Sequence, residues 1–98
     1  MGMCMPSGGV KSVVGVVGQN IGPIKDQPPN SRIDMYDEWG NLIQQRWFGP
    51  DGRAIRDRDW QHWGKNSHVF PHDHIWDWSK SLEHPGRSKP VDVDESFC

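Results

Sequence analysis

The sequence predicts a mainly β fold, or a small α+β one: an antiparallel meander of three to four strands with flexible N- and C-terminal segments. Three observations predict it. Short runs rich in β-branched and aromatic residues alternate with glycine- and proline-marked turns between residues 31 and 79. Two of those turns are of the tight kind that joins antiparallel neighbours. The chain has 98 residues, of which 34% are apolar, six are Trp and three are Phe. That suits one domain with a small aromatic core, each ring burying roughly 150–250 Å². The mean hydropathy of -0.80 and the 11 glycines and 8 prolines place much of the remaining chain in loops.

Residues 1–30 are expected to form a lead-in or linker. Within them, Val10 to Val17 is a β-branched run broken by Gly15 and closed by Gly18. It forms a strand or a short helix, and both the glycine and the β-branching weigh against helix. Gln19 to Asn30, with Pro23, Pro28 and Pro29, reads as a linker.

Residues 31–79 carry the predicted domain. Arg32 to Glu38 is its first strand, Glu38-Trp39-Gly40-Asn41 a turn, and Leu42 to Phe48 its second strand. Gly49-Pro50-Asp51-Gly52 is the strongest turn in the chain. Proline is preset for the second turn position and glycine tolerates a positive φ. Arg53 to Trp60 is the third strand, with cross-strand contacts expected between residues near Phe48 and Arg53, then Arg46 and Ile55. Gln61 to Pro71 is a loop long enough to be functional. Ile75 to Trp78 returns as a fourth strand, and residues 80–98 read as a tail.

The net charge of -2 argues against nucleic-acid binding by bulk electrostatics. The charges are clustered, however. Arg46, Arg53, Arg56, Arg58 and Lys65 fall close together, while Asp92, Asp94 and Glu95 make the end acidic. A local basic face can therefore still grip phosphates. Cys4 and Cys98 lie near the two ends, outside any Cys-x-x-Cys or Cys/His cluster, which disfavours a cysteine-based zinc site. Incidental thiols are expected there, with a terminal disulfide left open. The chain shows no transmembrane run and no secretory signal, so a protein that is cytoplasmic when produced, without a membrane partner, is expected.

The functional signal lies in Asn66 to Ser79, which holds His68, His72, His74, Trp76 and Trp78. On an extended backbone side chains two apart share a face, so His72 and His74 point the same way. Two imidazoles suffice for proton transfer near neutral pH, or for two corners of a metal site. The bland alternative is a pair of exposed strand histidines. In Arg56-Asp57-Arg58-Asp59 the arginines share one face and the aspartates the other. The bland reading there is an edge strand blunted by charge. Trp39 and Trp63 read as lids on the core, and His84 as non-functional.

There is no phosphate-cradling Gly-x-x-x-x-Gly-Lys, no Gly-x-Ser-x-Gly and no His-Glu-x-x-His. Chemistry that needs only His, Arg, Lys and Asp is left, and metal-independent RNA cleavage leads it. In that reading His72 and His74 are acid and base in either order. His68 is auxiliary, Asp59 orients a histidine, Arg56 and Lys65 hold phosphate, and no cofactor is needed. The rival is a non-enzymatic interaction module or phage-type structural protein. In it, His68, His72 and His74 with Asp57 or Asp59 hold a stabilising divalent metal such as zinc.

The string Pro-Asn-Ser-Arg-Ile-Asp-Met-Tyr-Asp, Gly-Pro-Asp-Gly-Arg-Ala, Arg-Asp-Arg-Asp and Phe-Pro-His-Asp-His-Ile-Trp-Asp-Trp spans about residues 30–79, half the chain. It resembles the small C-terminal toxin domains of bacterial polymorphic toxin systems. Tyr36-Asp37 through Gly40 also looks like the Tyr-Asp repeats of Rhs-type toxin shells. The resemblance implies a nuclease-like effector, delivered into a target cell and neutralised by an immunity protein. Many such toxins place helices before an antiparallel sheet. This chain departs from that arrangement, since no N-terminal helix is legible.

Overall fold

The structure, a computed structural model, describes residues 5–18, 21–60 and 71–97. Among them there are six strands: β1 (Val10–Val14), β2 (Arg32–Tyr36), β3 (Leu42–Phe48), β4 (Ala54–Asp59), β5 (His72–Asp77) and β6 (Gly86–Arg87). They form one sheet in sequence order, with no helix among the described residues. The fold is mainly β, with a strand count higher than the sequence suggests. No helix of the described residues is long and apolar enough to cross a membrane.

The two predicted turns hold. The Asp37 carboxylate accepts from the backbone N–H of Trp39 and Asn41 and from the Asn41 side chain, which closes the β2–β3 turn. Between β3 and β4, Gly52 N–H donates to the Gly49 carbonyl at 3.0 Å, and Gly52 takes φ 76. A side chain there would overlap the Gln27 carbonyl oxygen. Only glycine meets both demands. Bulges fall between Met35 and Tyr36 and between Trp47 and Phe48. Next to the turn Phe48 lies opposite Ala54, and beyond the second bulge Arg46 lies opposite Asp57. The contacts expected near Phe48 and Arg53 are present, but Arg46 moves two residues past Ile55: one at the turn, where Gly49 N–H donates to the Arg53 carbonyl, and one at the bulge, where an extra residue moves every later partner.

The ends of the chain join the sheet. β1 lies parallel to β2, with Val13 beside Met35. Parallel neighbours need a crossover, and residues 15–31 supply it. The crossover folds back over the sheet: Arg46 donates to the Gly22 and Pro23 carbonyls, Ala54 N–H to the Ile24 carbonyl, and Gln27 N–H to the Gly52 carbonyl. A Cβ on Gly22 would lie 2.9 Å from Met35 Sδ, so glycine permits this close approach. At the other end β6 pairs with β5, and Val91 bridges Asp73. The fourth predicted strand begins at His72 rather than Ile75, which draws the His-x-His pair into the sheet.

The register sorts side chains into rows that run across the strands. One face carries the rows Val13–Met35–Gln44–Asp59–His72 and Lys11–Ile33–Arg46–Asp57–His74. The other carries Asp34–Gln45–Arg58–Asp73 and Arg32–Trp47–Arg56–Ile75. The apolar cluster of Ile33, Met35, Ile43, Phe48 and Ala54, with Val13, Val16, Ile24, Trp76 and Trp78 against it, is the core. Along the first face this core grades into a buried polar cluster on β3, β4 and β5. Trp39 is 72% exposed, so this tryptophan sits at a turn tip instead of capping the core.

Candidate functional site

The polar cluster is built by register. Asp59 is paired with Gln44 on β3 and His72 on β5, and Asp57 with Arg46 and His74. Arg87 reaches in from β6. Its guanidinium donates to Asp57 at 3.0 Å and lies 3.4 Å from Asp59. Asp57 is held by two guanidiniums, since Arg46 also binds it through Nε at 2.7 Å and a terminal nitrogen at 3.0 Å. With Asp57 so engaged, His74 turns to the diagonal neighbour, and its Nε2 lies 3.1 Å from Asp59 Oδ2. His72 Nε2 lies 3.5 Å from the same oxygen.

The two rings stand 5.0 Å apart and nearly perpendicular, at 78°. They are 5% and 7% exposed, and Asp59 is 1% exposed. His74 Nδ1 is 2.7 Å from the Ser88 carbonyl oxygen. A carbonyl only accepts, so Nδ1 carries a proton and Nε2 faces the carboxylate. The Asp59 oxygen lies off the hydrogen-bond direction of that nitrogen, which makes the contact an ion pair. The second Asp59 oxygen accepts from Gln44 Nε2 at 2.8 Å.

Charge follows geometry. Burial works to raise the Asp59 carboxyl, but His74, Gln44 and the Arg87 charge outweigh it and hold it at about 2. Burial likewise opposes a charge on His74, yet the Asp59 carboxylate and the Ser88 carbonyl raise its pKa above the usual value, against an opposing Arg87. The result is a carboxylate that stays ionised beside an imidazole that favours its proton.

The sheet therefore brings three of the sequence-predicted residues together: His72, His74 and Asp59. It does not bring Arg56 to them. Arg56 projects from the opposite face, where Asp73 binds it at 2.6 Å and binds Arg58 at 2.9 Å. Asp57 shares the histidine face but is committed to Arg46 and Arg87. Lys65 and His68, with Trp63, Cys4, Cys98 and most of the predicted 61–71 loop, lie outside the described residues. Three contributors were not singled out in the sequence: Gln44, which sits on an ordinary strand position, and Arg87 and Ser88, which follow Pro85-Gly86 in the segment read as a tail. Only pairing with β5 gives those two their place.

Compared with known proteins, the chain matches no family model, no curated protein and no solved structure.

Proposed function

We propose that this chain is a metal-independent RNA-cleaving toxin domain with an imidazole acid/base pair on one face of its sheet. One observation carries the reading: two imidazoles converge on a single carboxylate oxygen, at 3.1 and 3.5 Å, on strands whose register fixes their spacing. His72 is the base. It takes the proton of a ribose 2′-hydroxyl, whose oxygen then attacks the adjacent phosphorus. His74, kept protonated by Asp59 and Ser88, is the acid. As the bond from phosphorus to the 5′-oxygen breaks, His74 gives that oxygen its proton. The products are a 2′,3′-cyclic phosphate and a free 5′-hydroxyl. His72 ends protonated and His74 deprotonated, and water resets both.

Arg87, with its side chain 21% exposed beside Asp59, is the cation for the phosphorane charge, the role the sequence suggested for Arg56. Lys65 as a phosphate contact and His68 as an auxiliary remain part of the proposal on sequence grounds. So do delivery into a target cell and an immunity protein as partner. The test is expression of the full chain in bacteria, followed by an RNA gel in EDTA. Growth arrest with RNA fragments ending in cyclic phosphate supports the reading, and intact RNA rejects it.

The depth of the two rings favours a second reading, a binding module in which the histidine face is structural. Under it, wild-type protein is folded, RNA stays intact, and His72→Ala and His74→Ala lower the melting temperature.

A further inference from the structure

We propose that Asp59, His72 and His74 form a binding site for one divalent transition-metal ion, with zinc the best match, and that filling it silences the acid/base pair. The site differs from a cluster that is merely acidic. One ligand atom from each residue lies within 4.8 Å of the others, and all three residues are buried. A tetrahedral ion with donors at about 2.0–2.2 Å has donor-to-donor edges of about 3.3–3.6 Å. The Asp59 Oδ2 edges to His74 and His72 are 3.1 and 3.5 Å. Two of the three donor edges therefore already lie close to the length a tetrahedral ion needs.

The orientation is also that of a ligand set. A metal-binding histidine gives its other ring N–H to a carbonyl or carboxylate, which fixes the tautomer and aims the free nitrogen. His74 does this with the Ser88 carbonyl at 2.7 Å. Its Nε2 is buried, faces Asp59 and has no hydrogen-bond partner. Ligating carboxylates are in turn held by a donor, and Gln44 holds the other Asp59 oxygen at 2.8 Å. Asp57 is excluded because Arg46 and Arg87 take both of its oxygens.

The donor set selects the ion. Two imidazoles and one carboxylate suit zinc and its neighbours, whereas calcium and magnesium want oxygen ligands. Three protein donors leave one tetrahedral position for water. The single carboxylate leaves a net positive charge on the ion, and the Arg87 guanidinium 3.4 Å from Asp59 adds repulsion. Binding is therefore reversible, as regulation requires. The silencing rests on the acid/base reading above, since an ion on both imidazoles removes the base and the acid together. The binding does not rest on it.

The experiment uses untagged full-length chain, stripped with chelator and dialysed. Zinc is titrated by calorimetry and by melting temperature, and cobalt by visible absorption. A single equivalent is expected, with a rise in melting temperature and an intense tetrahedral cobalt spectrum. Asp59→Asn and His74→Gln abolish saturable binding. Gln44→Leu weakens it by about 10–100-fold. Near-UV circular dichroism of the six tryptophans confirms that each variant is folded. Wild-type chain that takes up no equivalent, or binding unchanged in Asp59→Asn and His74→Gln, overturns the site. RNA cleavage in step with unoccupied protein supports silencing, and full cleavage by zinc-saturated protein overturns it. A chain that binds one zinc but never cleaves RNA leaves the site standing and removes the acid/base reading.

Discussion

Arg46 and Asp57 meet through two hydrogen bonds, at 2.7 and 3.0 Å, and neither side chain is exposed at all. Arg46 also donates to the Gly22 carbonyl at 2.8 Å, so this one guanidinium ties β3 to β4 and to the crossover. Removing one partner of a buried pair strands the other charge. Arg46→Met is expected to cost about 3–5 kcal/mol. The double variant Arg46→Met/Asp57→Leu should recover part of that loss. Urea unfolding of the two proteins checks this, and equal midpoints would contradict it.

At the β3–β4 turn, Gly52→Ala forces a side chain into a positive φ and against the Gln27 backbone. The expected cost is about 1–3 kcal/mol, or a melting temperature lower by roughly 4–8 °C for each kcal/mol. Gly40 also has a positive φ, of 85, but open space around it. Gly40→Ala should be the milder of the two. Calorimetry on both variants decides the order.

Cleavage should separate the arginines by the face they occupy. His72→Ala and His74→Ala are each expected to reduce RNA cleavage by on the order of 10²–10⁴-fold. Arg87→Gln should reduce it by on the order of 10²-fold. Arg56→Gln, on the far face and bound to Asp73, should leave the rate near that of wild type. If Arg56→Gln is the more damaging, the phosphate approaches from the other side of the sheet.

Stability should pass through a maximum in mildly acidic solution. Burial opposes ionisation of Asp37, Asp59 and Asp73, but their partners outweigh it: hydrogen bonds from Asn41 to Asp37, the His74 contact and the Gln44 hydrogen bond at Asp59, and hydrogen bonds from Arg58 and Arg56 to Asp73. A carboxyl lowered on folding stabilises above its unfolded pKa of about 3.9, and the gain is lost as pH falls through the folded value. His74 has the opposite sign. Burial opposes its charge, yet Asp59 and Ser88 raise its pKa. Its contribution is complete below about pH 6.5 and is lost as pH rises through the raised value. Melting temperatures in EDTA should therefore peak between about pH 4 and 6.5. A curve that keeps rising beyond neutrality would contradict the charged His74.

The strand period made part of the site readable. His72 and His74 had to share a face, and so did Asp57 and Asp59, because alternation is a local property of an extended chain. Which aspartate serves the histidines was not local. It depends on Arg46 from β3 and Arg87 from β6, both of which take Asp57. The place of Arg56 turned on parity across the β4–β5 ladder. The register sets Asp57 opposite His74, so the arginines that alternate with the aspartates face away. The bulge at Trp47/Phe48 moved the hairpin register, and no residue type marks it. β1 was legible as a β-branched run, but its parallel partner across residues 15–31 leaves no short-range trace.

That crossover orders events in the growing chain. β1 is made first, yet its seat does not exist until β2 has formed. The crossover itself leans on Arg46, Gly52 and Ala54, so β3, β4 and their turn must come before it as well. Non-local pairing of this kind is slow. Until β1 docks, the β2 edge presents unpaired backbone beside Ile33 and Met35, two of the most buried apolar side chains. An open edge of that kind recruits other chains. The N-terminal strand is therefore the fold's late guard against self-association, and chains that lose it should aggregate before they unfold.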